Sequence, residues 1–281
     1  MHKPFSPWLI LALLLLPLGL TGCRSRPAAV APNPGQAAAP ATRASARTPG
    51  GSPTATGSAS AAPAPQGSSY DWSVPAIFRS HLISSQKRKF PEKLIALTFD
   101  DGPAPSVTPV VLAALKKYHA HATFFVIGYN ASRWPELVRQ AAEEGHCVGI
   151  HSYSHIAKCT PELAVKNLHL TAKYIEQATG KKPTVFRPPY GITTNELTKL
   201  ARREGYPVIL WSMSSADTDR RILKDPDLIA RNVIHTPRNG DFVLMHDGGG
   251  HMASSEALSQ NIPQLQKAGW KFVTIPELLR A

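Results

Sequence analysis

A parallel α/β fold is what this sequence predicts, and three observations predict it. From about residue 90 onward, short apolar runs alternate with longer amphipathic stretches. The short runs are rich in β-branched and aromatic residues and nearly continuous in apolarity, as strands covered on both faces must be. Several amphipathic stretches begin near Pro, Thr or Asn and end in Gly, the ordinary start and stop chemistry of helices.

The elements follow in order. "LIALTF" (94–99), "ATFFVIG" (122–128) and "CVGIHS" (147–152) are the first three strand candidates, with "PELVRQAAEEG" (135–145) as a helix between the second and third. "PELAVKNLHLTAKYIEQATG" (161–180) is the next helix, then the strand candidate "TVFRPP" (184–189) and the helix "TNELTKLARREG" (194–205). "PVILWS" (207–212), "DFVLMH" (241–246) and "KFVTI" (271–275) complete seven strands. Strands alternating with helices make a parallel sheet. The periodicity admits either a barrel or an open doubly wound sheet.

Polar residues of an unusual kind stand at the strand ends. Asp100 and Asp101 follow the first strand, His151 closes the third, Arg187 the fourth and His246 the sixth, while Asp217 lies just beyond the fifth. In an α/β barrel the C-terminal rim gathers chemistry from several strands at once. A turn would explain "DDGP" (100–103) locally. It does not explain why residues more than a hundred positions apart should meet at one mouth.

The N-terminal part reads differently. Lys3 precedes the apolar run "WLILALLLLPLGL", which is short, broken by Pro17 and ended by small residues, a secretory signal pattern rather than a membrane span. The run closes with "LTGC", and small residues before Cys23 resemble the bacterial lipoprotein cleavage box. Residues 1–22 are thus expected to be a lipoprotein signal peptide, with Cys23 lipidated and the protein anchored outside the cytoplasm to the cell membrane or outer membrane. From Arg24 to Ser69 the chain is mainly Ala, Pro, Ser, Thr and Gly without an acidic residue. Such a segment cannot bury enough surface to offset its ordering entropy, so 23–69 is expected to be a lipidated, disordered tether. A lead-in over 70–92 and one domain over 93–281 complete the expected organisation.

Of the net charge of +12, residues 1–70 hold five basic and no acidic residues, which leaves +7 for the rest. That favours an anionic neighbourhood such as a cell wall or lipid headgroups. The densest basic cluster, Lys87 to Lys89, has no interleaved aromatics, so nucleic acid is not an expected partner. Cys147 and Cys159 are a single pair in an expectedly exported chain, and the sequence leaves open whether they join.

The sharpest local pattern is "HSYSH", His151 to His155. In a helical turn, residues four apart share a face and can reach one metal. Two imidazoles and a carboxylate suit Zn²⁺ and leave positions open for water. Together with "TFDDGP" (98–103), "RPPYG" (187–191) and "LMH" (244–246), in that order, the pattern resembles the motifs of the polysaccharide deacetylases, carbohydrate esterase family four with its NodB-homology domain. The resemblance runs from about Leu94 to the C-terminus.

What it implies is specific. The fold expected is a distorted (β/α)7 barrel of parallel strands. Asp101, His151 and His155 would hold a divalent metal, zinc first, with cobalt or manganese as alternatives. Asp100 would be the general base and Arg187 the residue that orients it. Tyr190 would present its backbone N–H to the oxyanion, and Leu244 would form the apolar wall around the acetyl methyl. His246 would be the general acid. The implied activity is removal of N-acetyl groups from an amino-sugar polysaccharide, peptidoglycan or another N-acetylglucosamine polymer, by a monomer. An O-acetyl esterase, or a wall-binding lipoprotein with weak catalysis, is the alternative.

One motif departs from the family. An Asp-x-x-Asp-Trp element usually follows the fifth strand, whereas this chain reads "WSMSSADTDR" (211–220). Aligned on Trp211, Ser214 replaces the first Asp, Asp217 keeps the second, and Thr218 replaces the Trp. Asp217 can still pair with His246, but the groove loses an aromatic. "HDGGG" (246–250) lacks the P-loop ending and reads as a flexible rim segment. His119, His121, His235 and His251 have no partner that the sequence shows.

Overall fold

A computed structural model of the chain describes residues 70–281. The signal-like segment 1–22, Cys23 and the rest of the tether to residue 69 lie outside the described residues. Among the described residues, no helix is long and apolar enough to cross a membrane.

Eight strands and eight helices follow one another as β1 (Leu82–Ile83), β2 (Lys93–Asp100), α1 (Thr108–Lys117), β3 (Ala122–Val126), α2 (Gly128–Arg133), α3 (Pro135–Glu143), β4 (Cys147–Ile150), α4 (Pro161–Thr179), α5 (Glu196–Arg203), β5 (Val208–Ile209), β6 (Met213–Ser214), α6 (Pro226–Ile234), β7 (Asp241–His246), α7 (Met252–Lys267), β8 (Trp270–Phe272) and α8 (Ile275–Arg280). The larger sheet runs β4-β3-β2-β7-β6, and every pair in it is parallel. Strand β8 joins β2 over Lys93–Ile95, and since Ile95 also pairs with β7, β8 lies on the edge that β3 occupies further along.

The two margins of this sheet are joined through the small β1-β5 pair. Phe186 bridges Ile150 of β4 to Val208 of β5, and Ser85, just past β1, bridges back to Asp241 of β7. The strands therefore run round a distorted barrel rather than an open doubly wound sheet. The lead-in belongs to it physically: it supplies β1, and buried Trp72 donates its indole N–H to the carbonyl of His146 at 3.1 Å.

Pleat and burial explain the apolar runs. Seven of the eight β2 residues are buried, all five in β3 and all four in β4. Phe99 and Phe124 stack across β2 and β3 at 5.2 Å, each contributing roughly 1.5–3 kcal/mol of apolar transfer free energy. Side-chain caps set the helix starts. Thr160, Asn195 and Asp225 each accept from the backbone N–H three residues on, an interaction of about 1 kcal/mol apiece.

Three sequence expectations change. "TVFRPP" contributes only the Phe186 bridges and no strand, because Pro183, Pro188 and Pro189 have no N–H to give a ladder. "PVILWS" holds only the two-residue β5, and β6 begins just beyond it at Met213. "KFVTI" stops being strand at Phe272, because Thr274 and Glu277 form a reciprocal capping box that starts α8 at Ile275. Cys147 and Cys159 are both free thiols.

Candidate active site

The last residue of β2, Asp100, is buried at the barrel rim beside the fully buried Arg187. A guanidinium there needs every N–H satisfied, and this one is well supplied. Its Nη1 donates to Asp100 Oδ1 at 2.8 Å and to the Thr98 hydroxyl at 2.7 Å. Its Nε and Nη2 donate to the carbonyls of Ile209 and Leu210, and its plane lies 4.2 Å from the centre of the Phe125 ring. Removing one partner of such a buried pair costs about 3–5 kcal/mol, because it strands the other charge. Asp100 is thereby fixed in place with Oδ2 left toward the cavity, 3.8 Å from His151 Nε2.

Asp101 turns the other way. Its φ is +73°, which throws the side chain off the line of the strand. Oδ1 then lies 3.5 Å from His151 Nε2 and 3.2 Å from His155 Nε2, buried and without a hydrogen-bond partner. The His151 tautomer follows from its other nitrogen, which lies 2.9 Å from the carbonyl of Arg187. A carbonyl only accepts, so Nδ1 carries the proton and Nε2 is a lone pair facing Asp101. Burial pushes the His151 pKa down despite the raising effect of Asp100 and Asp101, which keeps that lone pair available. An orphaned carboxylate oxygen and two imidazole nitrogens within 4.8 Å of one another fit a divalent cation.

The histidines do not reach this arrangement through a helix. They flank a turn beyond β4 in which Ser152 (φ +66°) and His155 (φ +53°) are left-handed. The turn is tied by side chains instead. The amide oxygen of buried Asn167, on α4, accepts from the backbone N–H of Tyr153 and Ser154 at 3.0 and 3.1 Å. The Ser152 hydroxyl accepts from His155 N–H at 2.9 Å. Asn167 was not legible as a site residue, since in sequence it is one polar position on an amphipathic helix.

Across the rim, His246 ends β7. Its Nδ1 lies 2.8 Å from Asp217 Oδ1, while Asp217 Oδ2 accepts from the His246 backbone N–H at 2.8 Å and from the Ser254 hydroxyl at 2.7 Å. Burial pulls the His246 pKa down, but the Asp217 hydrogen bond and charge, with Asp100 and Asp101 beyond, raise it to about 9. The same imidazolium and Ser254 hold Asp217 below the usual carboxylate value against its burial. Asp217, His246 and His251 also bring ligand atoms within 4.8 Å. Both Asp217 oxygens already accept hydrogen bonds, three in all, so the arrangement is satisfied as a hydrogen-bonded His–Asp pair.

One cavity of about 420 Å³ is lined by both aspartates, His151, His155 and His246, with Leu244 and Tyr190 on its walls. Tyr190 sits at φ +57° in the short 3-10 turn Pro189–Gly191, and its ring meets that of His155 at 4.5 Å. Thr218 reaches the wall as the alignment on Trp211 expects, but Trp211 itself also lines the cavity, so the groove keeps one indole. "HDGGG" is not a loose rim throughout. Asp247 is fully buried, with the Thr108 hydroxyl donating to it at 2.6 Å, and only Gly249 and Gly250 are open. A Cβ at Gly102 would overlap the Asp247 carboxylate, and one at Gly248 would come within 2.7 Å of Asp101 Cβ. Asp247, pushed up to about 7 by burial, thus braces the aspartate loop from behind. His251 stacks on His246 at 5.0 Å and His121 lies 3.7 Å from Glu277, contacts that the sequence did not reveal.

Known proteins resemble this chain in sequence and fold. The family described as Polysaccharide deacetylase matches residues 87–209. A peptidoglycan-N-acetylglucosamine deacetylase of Bacillus cereus is 41% identical over 193 residues, covering 67% of this chain and 89% of the relative. The peptidoglycan-N-acetylglucosamine deacetylase PgdA of Listeria monocytogenes is 39% identical over 188 residues, 66% of this chain, although this chain spans only 39% of that protein's length. A crystal structure of a peptidoglycan N-acetylglucosamine deacetylase superposes with a TM-score of 0.66 at 33% identity, covering 72% of this chain and 94% of the other. The fold is that of an enzyme acting on polysaccharide. The chain belongs to the polysaccharide deacetylase family, carbohydrate esterase family four.

Proposed function

We propose that this enzyme removes N-acetyl groups from the amino sugars of an envelope polymer, with peptidoglycan the polymer that its relatives' activities favour. One observation carries the reading: a carboxylate clamped by Arg187, a cation-competent triad and a charged imidazole all face a single cavity. Asp101, His151 and His155 would hold the divalent metal, with zinc best suited to the donor set. When bound, it supplies a Lewis acid that acidifies water and polarises the acetyl carbonyl.

The chain's own groups do the rest. Asp100 Oδ2 takes the proton of the water that attacks the acetyl carbon, while Arg187 holds Oδ1 and so fixes which oxygen faces the cavity. The backbone N–H of Tyr190 meets the oxyanion as it forms, a contribution of about 3 kcal/mol for one such donor. His246, protonated through neutral pH, gives its Nε2 proton to the departing amine while Asp217 holds Nδ1. Leu244 excludes water beside the methyl. Acetate and a free amino sugar are the products.

The location is inferred from the sequence pattern at Cys23, which supports lipid anchoring outside the cytoplasm. Acetate release from defined N-acetylglucosamine oligomers and purified peptidoglycan, measured beside O-acetylated xylan, tests the function. Release from the N-acetyl substrates alone, abolished by chelation and restored by added Zn²⁺, Co²⁺ or Mn²⁺, is the expected result. Release from xylan alone would instead make the enzyme an O-acetyl esterase, and tight glycan binding without release a wall-binding protein.

A further inference from the structure

The short helix α2 sits directly on the candidate metal loop, and its outer face carries groups that the proposed chemistry does not use. Gly128 N–H and Tyr129 N–H donate to the carbonyls of Ser152 and Tyr153, both at 2.9 Å, while Asn130 Nδ2 donates to the Asp101 carbonyl at 2.9 Å. The helix is therefore pinned to both halves of the triad. Tyr129 is nonetheless 49% exposed, with its ring edge-on to Tyr153 at 6.3 Å. Beside it, the guanidinium of Arg133 lies 5.8 Å from the Tyr129 ring centre and 5.7 Å from that of Trp134, and its Nη1 donates to the Tyr129 hydroxyl at 3.4 Å. No carboxylate among the described residues pairs with Arg133.

Tyr129, Arg133 and Trp134 thus put an exposed ring and a cation stacked on it beside the segment that carries His151 and His155. A tyrosine ring offers its face to the C–H face of a pyranose, and a stacked guanidinium offers a preorganised fork to a carboxylate. Both stand on an element tied to the Asp101 loop and to Ser152 and Tyr153, whereas the exposed Tyr190 meets the His155 ring itself.

We propose that Tyr129 and Arg133 form a subsite for a carboxylate-bearing sugar next to the residue being deacetylated. In a strand of alternating amino sugars, such a group is either the lactyl ether acid of a muramyl residue or an acid of its attached peptide. This rests on the deacetylase reading above and adds to it a preference for anionic over neutral glycan.

The test compares three oligosaccharides of equal length with the full chain loaded with metal: a neutral N-acetylglucosamine oligomer, a peptide-free alternating glycan bearing lactyl acids, and the same glycan with its peptides. For the parent protein, KM is expected to be lower on the glycan that carries the recognised acid. Arg133→Gln should cut that preference about fivefold, the size of effect an exposed charge pair gives, with kcat unchanged. Arg133→Lys should restore part of it. Tyr129→Ala should raise KM on all three. Loss of preference on the peptide-free glycan assigns the lactyl acid, and loss only on the peptide-bearing glycan assigns the peptide. Equal KM values for all three with the parent protein, or an Arg133→Gln variant that keeps its preference, would overturn the subsite. Calorimetric titration with the same glycans reads the preference without turnover, so a failed deacetylase assignment would not obscure the result. Melting temperatures matching the parent protein confirm that each variant is folded.

Discussion

Asp100 and His246 are register partners on the parallel strands β2 and β7, so the pairing that builds the sheet also sets the two groups side by side at the rim of one cavity. Each is held from behind by a buried group of opposite charge, Arg187 for the aspartate and Asp217 for the histidine. The pairing brings a candidate proton acceptor and a candidate proton donor to one cavity, with the triad beside the acceptor.

The neighbouring aspartates should separate by role. Asp100→Asn should keep its metal, since Asp101 carries the orphaned oxygen, and lose about 10²–10⁴ in kcat, because an amide cannot accept the proton of water. Asp101→Asn should lose metal first. Metal content by mass spectrometry, read beside acetate release, checks both. Equal metal retention with equal loss of activity would refute the division.

The His246–Asp217 pair predicts a pH dependence with a definite sign. An acid must be protonated to act, so activity should fall as pH rises through the His246 pKa, which lies near 9 rather than 6.5. A bound dication offsets Asp100 and Asp101 and moves that limb somewhat lower. Asp217→Asn should move it much further, toward 6.5, with kcat reduced. The same shift acts on folding. A pKa raised in the folded state contributes stability in full below pH 6.5, and that contribution is lost as pH climbs through about 9. Melting temperatures of the parent protein and Asp217→Asn should therefore differ most between the carboxylate range and neutral pH, where Asp217 is ionised and His246 charged, and the gap should narrow as pH climbs through about 9.

The rim residues were legible in the sequence for a physical reason. Asp100, His151, Arg187 and His246 end apolar runs, and a polar residue closing such a run stands out against its neighbours. What holds these residues was not legible. Asn167 lies twelve positions beyond His155, and Asp247 looked like part of a glycine loop, yet each makes its contacts only after the chain has folded back. The histidine spacing pointed to one metal but suggested a helical turn. Side-chain acceptors at Ser152 and Asn167, rather than periodicity, decide the conformation there. An apolar run overstates the strand where proline interrupts the ladder, as at Phe186.

Asn167 gives a test of that hidden support. Asn167→Ala should free two backbone N–H groups at the turn and cost about 1–3 kcal/mol of stability. Metal affinity should fall about 10–100-fold, as for other outer residues that orient ligands. Asn167→Asp keeps the accepting oxygen but sets a second oxygen against the Leu163 carbonyl at a buried site, so it should recover only part of the affinity. Calorimetric metal titration of both variants decides, and an Asn167→Ala protein that binds metal normally would remove Asn167 from the site.

Thr218 provides the last prediction, because here the motif resemblance implies a tryptophan and the sequence has a threonine. It is exposed at the wall of the cavity that Trp211 and Tyr190 also line. An added ring at 218 would enlarge the apolar surface available to a sugar without touching Asp100, the triad or His246. Its stacking would act alike on bound substrate and transition state, the signature of uniform binding. Thr218→Trp should therefore lower KM for an N-acetylglucosamine oligomer about threefold to tenfold while kcat stays level, the pattern expected when ground-state binding alone changes. Asp217 lies one residue away, so the pH profile should be recorded for the same variant. If its alkaline limb stays in place while KM falls, the groove has gained a platform and the acid pair is undisturbed. A limb that moves, or turnover that stops, would mean that Thr218 is there to make room, and that the substrate fills the space a tryptophan would occupy.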